Sequence, residues 1–225
     1  MIPWRELGRT RVGNRDLVLA RRGEPPKAEY ALRLGGAELM NSRQHASEEA
    51  LAKLGCAGLA KIPHTRVLIG GLGMGFTLRA ALDALSPAAR VTVVELMPEV
   101  VAWNREHLAD LARRPLDDPR VTVIERDVAA VIGEKPEAWN AILLDVDNGP
   151  DAFTAPANAA LYGLKGLIAC RKALVRGGVL GVWSVENNNA FTDRLAGTGF
   201  EVDKQRVPAR PGSSVKHVIW LGREK

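Results

Sequence analysis

The stretch Arg66-Val-Leu-Ile-Gly-Gly-Leu-Gly-Met-Gly-Phe-Thr-Leu-Arg79 decides the fold. Val67 to Ile69 is an apolar run of the kind that forms a strand buried on both faces. It empties into Gly70, Gly71, Gly73 and Gly75, and a helical pattern follows over residues 76–85. A second apolar run, residues 91–94, ends on Glu95. Strand, glycine turn, helix, strand, acid is the layout of a nucleotide-binding βαβ unit. The glycines let backbone approach a ligand, and the helix N-terminus offers free N–H groups. An acid closing the second strand can accept both hydroxyls of a ribose.

The glycine spacing narrows the ligand. A dinucleotide fingerprint G-x-G-x-x-G would need glycine at Phe76 or at Leu72, and neither is one. The pattern present is G-x-G-x-G, at Gly71, Gly73 and Gly75. That form is commoner in proteins that bind S-adenosylmethionine, whose single nucleoside has no pyrophosphate to cradle. A tight strand–helix turn without a ligand would use glycines too, but Glu95 in register argues against it.

Outward from this unit, strand and helix alternate. Helices are predicted at 98–111, 162–175 and 187–197, the second stopped by Gly177-Gly178. Strands are predicted at 121–124, 141–144 and 179–185, and 200–207 with 215–221 read as an antiparallel hairpin added to a parallel sheet. Upstream, 16–21 reads as a strand and 29–41 as a hairpin turning at Gly35-Gly36. Residues 47–54 read as a helix with Ser47 as its cap. The expected organisation is a β-element over 1–43 and a ligand-binding α/β domain over 44–225.

The 225 residues suit one α/β domain with a small appendage. Apolar runs are too short to span a membrane and the start of the chain is not a signal peptide, so a cytoplasmic protein is expected. Cys56 and Cys170 stand in no metal or redox spacing and are expected to pack as small hydrophobes. The formal charge of +5 is uneven. Residues 1–33 carry eight Lys/Arg against four Asp/Glu, and residues 201–225 carry six against three. A basic N-terminal arm could meet an acidic partner. It lacks interleaved aromatic side chains beyond Trp4, so nucleic acid is not expected.

Ligands of open parallel sheets sit beyond the carboxyl ends of the strands. Four predicted strand ends carry acids there: Glu95, Asp127, Asp145 and Glu186. Asp127 could equally cap a short helix beginning at Val128. Asp145-Val-Asp-Asn-Gly-Pro150 places Asp145 and Asp147 on one loop, where Asp145 could orient or deprotonate a nucleophile. The same oxygens could take magnesium, or form an Asx-type turn. Trp103, Trp139, Trp183 and Trp220 read as core aromatics, and His45 as a candidate for facing a cleft.

The chain resembles the spermidine synthase (polyamine aminopropyltransferase) family of the class I S-adenosylmethionine-dependent methyltransferase fold. The resemblance lies in residues 67–79, Val93-Val-Glu-Leu-Met-Pro-Glu-Val100, Asp118-Pro-Arg-Val-Thr-Val-Ile-Glu-Arg-Asp127, Ile142-Leu-Leu-Asp-Val-Asp147 and Leu174-Val-Arg-Gly-Gly-Val-Leu180. It implies a Rossmann-like seven-stranded sheet with a small N-terminal β-element, and often a dimer. It also implies that Glu95 holds the ribose, Asp127 with Val128 the adenine, Gln44 and the glycine loop the rest of the cofactor, and Asp145 the reaction centre, with no metal. The cofactor would be S-adenosylmethionine or its decarboxylated form, and the acceptor a small amine or hydroxyl compound.

The chain departs from the family at Met74, where family members carry an aspartate that pairs with the amine of the decarboxylated cofactor. Ser47-Glu-Glu49 stands for the usual Tyr-His-Glu, and Asp145-Val-Asp-Asn-Gly for Asp-Ser-Ser-Asp-Pro. Without a carboxylate at Met74, the intact cofactor is acceptable, and methyl transfer is the expected reaction. Aminopropyl transfer to a polyamine is the alternative. A metal-assisted O-methyltransferase and a non-catalytic adenosyl-ligand binder are further readings. Calorimetric titration should show binding of an S-adenosyl ligand and none comparable of NAD; equal binding of the two would overturn the argument from glycine spacing.

Overall fold

The computed structural model describes residues 2–146, 149–150 and 160–224. Its larger sheet has seven strands: β5 (Arg66–Gly70), β6 (Arg90–Glu95), β7 (Val121–Glu125), β8 (Trp139–Leu144), β9 (Leu174–Ser184), β10 (Glu201–Pro208) and β11 (Lys216–Arg223). They lie in the order β10-β11-β9-β8-β5-β6-β7. β5 to β9 pair in parallel, and β11 runs antiparallel to both β9 and β10. The connection changes direction at β5, which is flanked by β6 on one side and β8 on the other. That is where an open α/β sheet leaves a crevice.

Alternation along the central strands divides the core between the two faces of the sheet. Val67, Ile69, Ala141 and Leu143 pack into one apolar cluster, while Leu68, Ile142 and Leu144 pack into the other. Six helices flank the sheet: α1 (Ala46–Gly55), α2 (Phe76–Ala84), α3 (Pro98–Glu106), α4 (Val128–Gly133), α5 (Leu164–Ala173) and α6 (Asn189–Gly197). α1 packs on α2 and β9, which carries the segment preceding it to the crevice. Cys56 and Cys170 are buried and unpaired, and burial pushes both thiols up to about 12. None of the described helices is long and apolar enough to cross a membrane.

The N-terminal residues form a separate antiparallel sheet of β1 (Trp4–Val12), β2 (Arg15–Arg22), β3 (Glu29–Leu34) and β4 (Ala37–Asn41). β1 is absent from the sequence expectation because its exposed edge position lets it carry arginines. These arginines are partnered. Arg9 lies 2.6 Å from Glu6 and 2.5 Å from Asp16, and the Arg22 and Arg33 guanidiniums stand 5.0 and 4.7 Å from the Trp4 ring centre. The basic arm is thus one face of a folded sheet.

Two helix expectations need correction. The helix expected to reach residue 111 ends at Glu106, and turns follow in which Arg113 and Arg114 take φ of 56° and 51°. The helix expected over 162–175 ends at Ala173 because Leu174 already pairs with Trp139. Gly177-Gly178 therefore lies inside β9, where the register with β8 slips between Trp139 and Ala141.

The glycine loop leaves β5 under tight geometric limits. The Gly71 N–H donates to the Val94 carbonyl at 2.9 Å, and the Asp145 N–H donates to the Gly70 carbonyl at 2.9 Å. Gly71 has φ +88°, and a Cβ there would stand 2.2 Å from the Asp145 carbonyl oxygen. No side chain fits. Gly71→Ala should destabilise the fold by at least the ~1–3 kcal/mol of a strained left-handed residue. A urea midpoint equal to wild type would contradict this geometry.

Candidate active site

A cavity of about 460 Å³ opens at the crevice beside β5. Its wall combines the glycine loop, the ends of β6 and β8, the N-terminal sheet and the β9–β11 edge. The N-terminal sheet sits directly over the loop: a Cβ on Gly73 would meet Met40 Cε at 2.9 Å. Leu96, Val185 and Val215 give the cavity exposed apolar groups.

One end is shaped by Gly71, Gly73, Glu95, Asp127 and Val128. Glu95 Oε2 accepts the Leu72 N–H at 2.9 Å, and Oε1 accepts the Met97 N–H at 3.0 Å. Burial is the largest influence on this carboxyl and lifts it above its usual range, while backbone N–H groups of Leu72, Met97, Leu96 and Gly73 act the other way. Asp127 does cap α4, accepting the Ala129 N–H at 2.8 Å, and it faces the cavity as well. Val128 is buried on the cavity wall and packs against Gly70.

Two sequence candidates lie off this wall. Met74 is 2% exposed and packs in the core with Phe76 and Leu78. Gly75 faces Pro115, Asn104 and Ala112. A thioether gains dispersion contacts by turning inward, so Met74 does not set the charge of the cavity. Asp147, and Asn148 beside it, fall outside the described residues.

The other end gathers Gln44, Glu48, Asp145, Trp183 and His217. The Thr77 hydroxyl donates to Asp145 Oδ2 at 2.5 Å. Burial pushes the Asp145 carboxyl up to about 6, against the pull of that hydroxyl. Glu48 is 6% exposed and its side chain has no hydrogen-bond partner. Burial first, then the charges of Asp145 and Glu49, lift its carboxyl well above the usual range. Glu48 therefore keeps its proton while Asp145 ionises near neutrality.

The sequence reading missed Glu48, Thr77 and His217 as cavity residues, and took Trp183 for core. Ser47-Glu-Glu49 looked like a helix start, yet α1 is capped at His45 with no side-chain cap bond. Ser47 Oγ instead accepts the Trp183 Nε1–H at 3.0 Å and lies 2.8 Å from His217 Nδ1. His45 stacks on Phe76, ring centres 4.1 Å apart, and contacts Glu49 at 2.9 Å; it is not on the cavity wall. Among the described residues no three His, Cys, Asp or Glu side chains are grouped to hold a metal ion.

No protein-family model matches the chain. It is 31% identical over 182 residues to the polyamine aminopropyltransferase of Corynebacterium efficiens, covering 79% of this chain and 32% of that protein. It is 33% identical over 128 residues to polyamine aminopropyltransferase 2 of Pseudomonas aeruginosa, covering 55% of this chain and 34% of that one. The matches thus span about a third of the curated relatives' length. The spermidine synthase of Thermotoga maritima superposes with a TM-score of 0.76 at 20% identity, covering 98% of this chain and 73% of that chain. A spermidine synthase in complex with the transition-state analogue AdoDATO gives 0.74 at 18% identity, with the same coverage of each. These likenesses establish the fold.

The buried Asp145 has a consequence for stability. A carboxyl that binds its proton more tightly folded than unfolded favours the folded state at low pH, and that advantage is lost as pH rises from its unfolded value, near 4, to about 6. Asp145→Asn should therefore stabilise the protein at pH 8, by about 2–3 kcal/mol, and gain little at pH 4. Thermal melts at the two pH values check it. An equal or opposite change at pH 8 would mean that the carboxyl is well solvated.

Proposed function

Because the chain belongs to the spermidine-synthase-like family, we propose that it transfers an aminopropyl group from decarboxylated S-adenosylmethionine to a small amine. The observation that carries this reading is the buried Glu48–Asp145 pair at one end of a cavity whose other end holds Glu95 and Asp127. The expected methyl transfer is set aside. It rested on Met74 facing the cofactor tail, and Met74 packs in the core; the curated relatives are also named for aminopropyl transfer. The division into a β-element over 1–43 and a ligand-binding domain over 44–225 belongs to the same proposal.

The residues present suit an S-adenosyl group. Gly71 and Gly73 leave the wall free of side chains, and Glu95 offers a carboxylate already oriented by two N–H groups. Asp127 and Val128 would hold the adenine, one by hydrogen bonding and the other by apolar contact. Gln44 would reach the tail from the segment before α1. Met74 and Gly75 support the loop from behind.

The bound sulfonium makes the adjacent carbon electrophilic, and the reaction is an in-line displacement there. The acceptor nitrogen forms the new C–N bond as the C–S bond breaks, leaving the thioether product. Asp145 is placed to orient that nitrogen and take its proton, since a carboxylate with a value near 6 is half ionised close to neutral pH. Glu48 keeps the surroundings acidic, which favours a cationic amine over a neutral alcohol. Thr77 fixes the Asp145 carboxylate through its hydroxyl.

Turnover should yield 5′-methylthioadenosine from the decarboxylated cofactor. Formation of S-adenosylhomocysteine from the intact cofactor would return the reading to methyl transfer. Asp145→Asn should lower kcat by roughly 10²–10⁴-fold, the range for a general base, with little change in cofactor affinity measured by calorimetry. Full activity of that variant would remove Asp145 from the mechanism.

A further inference from the structure

His217 is the one member of the acidic end that no step above uses. It comes from β11, 170 residues from its partner Ser47 in α1, and Trp183 of β9 joins the same contact. Ser47 is completely buried. Its oxygen receives the Trp183 Nε1–H, because an indole can only donate. The single hydroxyl hydrogen then has one available acceptor, His217 Nδ1. The reverse polarity, Nδ1–H toward the oxygen, would leave a buried hydroxyl hydrogen with nothing to bond. His217 is thereby assigned its proton on Nε2. The Trp183 ring stands edge-on to the imidazole, at 5.0 Å and 85°, and fixes its plane.

The imidazole is 7% exposed and borders the cavity. Its Nε2 has no partner among the described residues, and it is not sealed from the cavity. A further proton would set Nδ1–H against the Ser47 hydroxyl, and burial also disfavours the cation. The ring therefore presents a neutral, fixed N–H donor. A buried donor on a cavity wall is built to meet an acceptor atom. An ammonium group has only donors and cannot satisfy it. The acidic pair and the N–H donor thus ask for opposite chemistry from one molecule.

We infer that the acceptor end is a two-point site: Glu48 and Asp145 take the reacting nitrogen, and the His217 Nε2–H takes an oxygen of the same molecule. The substrate class is an amino alcohol or amino acid rather than a plain diamine. The inference rests on the transferase reading for its placement of the acceptor, but the state of His217 does not.

The test compares diaminobutane, aminobutanol and aminobutanoate, matched in chain length, with the decarboxylated cofactor. Wild type should favour at least one oxygen-bearing acceptor over the diamine by tenfold or more in kcat/KM. His217→Leu should erase that preference, mainly through KM, while His217→Gln, which restores an N–H donor, should recover part of it. A wild type that prefers the diamine, or a preference untouched in His217→Leu, overturns the proposal. Nitrogen-15 shifts of the wild-type imidazole give a readout independent of turnover: a protonated Nε2 and bare Nδ1 are expected, and the opposite tautomer overturns the proposal. If no acceptor turns over although calorimetry shows cofactor binding, the transferase reading fails. The preference is then measured by binding of the same three compounds to protein loaded with 5′-methylthioadenosine, with the same outcomes deciding.

Discussion

Three strand ends meet at Gly71, and most of the cavity follows from how closely they meet. Its N–H ties the loop to β6 through Val94, while the Asp145 carbonyl lies where any side chain would have to go. Fixing β5, β6 and β8 there brings the Leu72 N–H to the Glu95 carboxylate. It also sets the direction in which the chain leaves β8, which places Asp145 under the Thr77 hydroxyl. A looser turn would separate these groups by ångströms, and neither carboxylate would have its donor.

The acidic end trades stability for chemistry. Burying two carboxyls side by side opposes ionisation of both, and a shared proton is the least costly state of the pair. The resulting field favours a cationic guest, and the guest's charge in turn favours ionisation. Glu95 is different in kind: its carboxylate already receives backbone N–H groups, so it is oriented without a ligand. One end of the cavity is therefore preorganised by hydrogen bonds, and the other holds unsatisfied capacity.

The β5–α2–β6 unit was legible in the sequence because its signals are local: apolar runs, glycines and an acid within thirty residues. Strand-end acids at Glu95, Asp127 and Asp145 followed from the same pattern. β1 was hidden because an exposed edge strand needs no apolar alternation. Met74 was misplaced because a linear motif names the residues of a turn but not the side on which each side chain leaves it. Glu48 and His217 carry no local signature at all; one reads as a helix-start acid and the other as an isolated histidine in a strand. Their meaning arises only when α1 packs against β9 and β11.

That difference in range also bears on how the walls assemble. The Leu72–Glu95 bond closes a loop of 23 residues, whereas Ser47 and His217 meet across 170. With closure entropy growing as the logarithm of length, the longer loop costs about 2 kcal/mol more. Contacts this distant in sequence form slowly. The nucleotide wall is a nearly self-contained unit suited to early folding, and the wall facing the second substrate is left to the longest-range closure in the site.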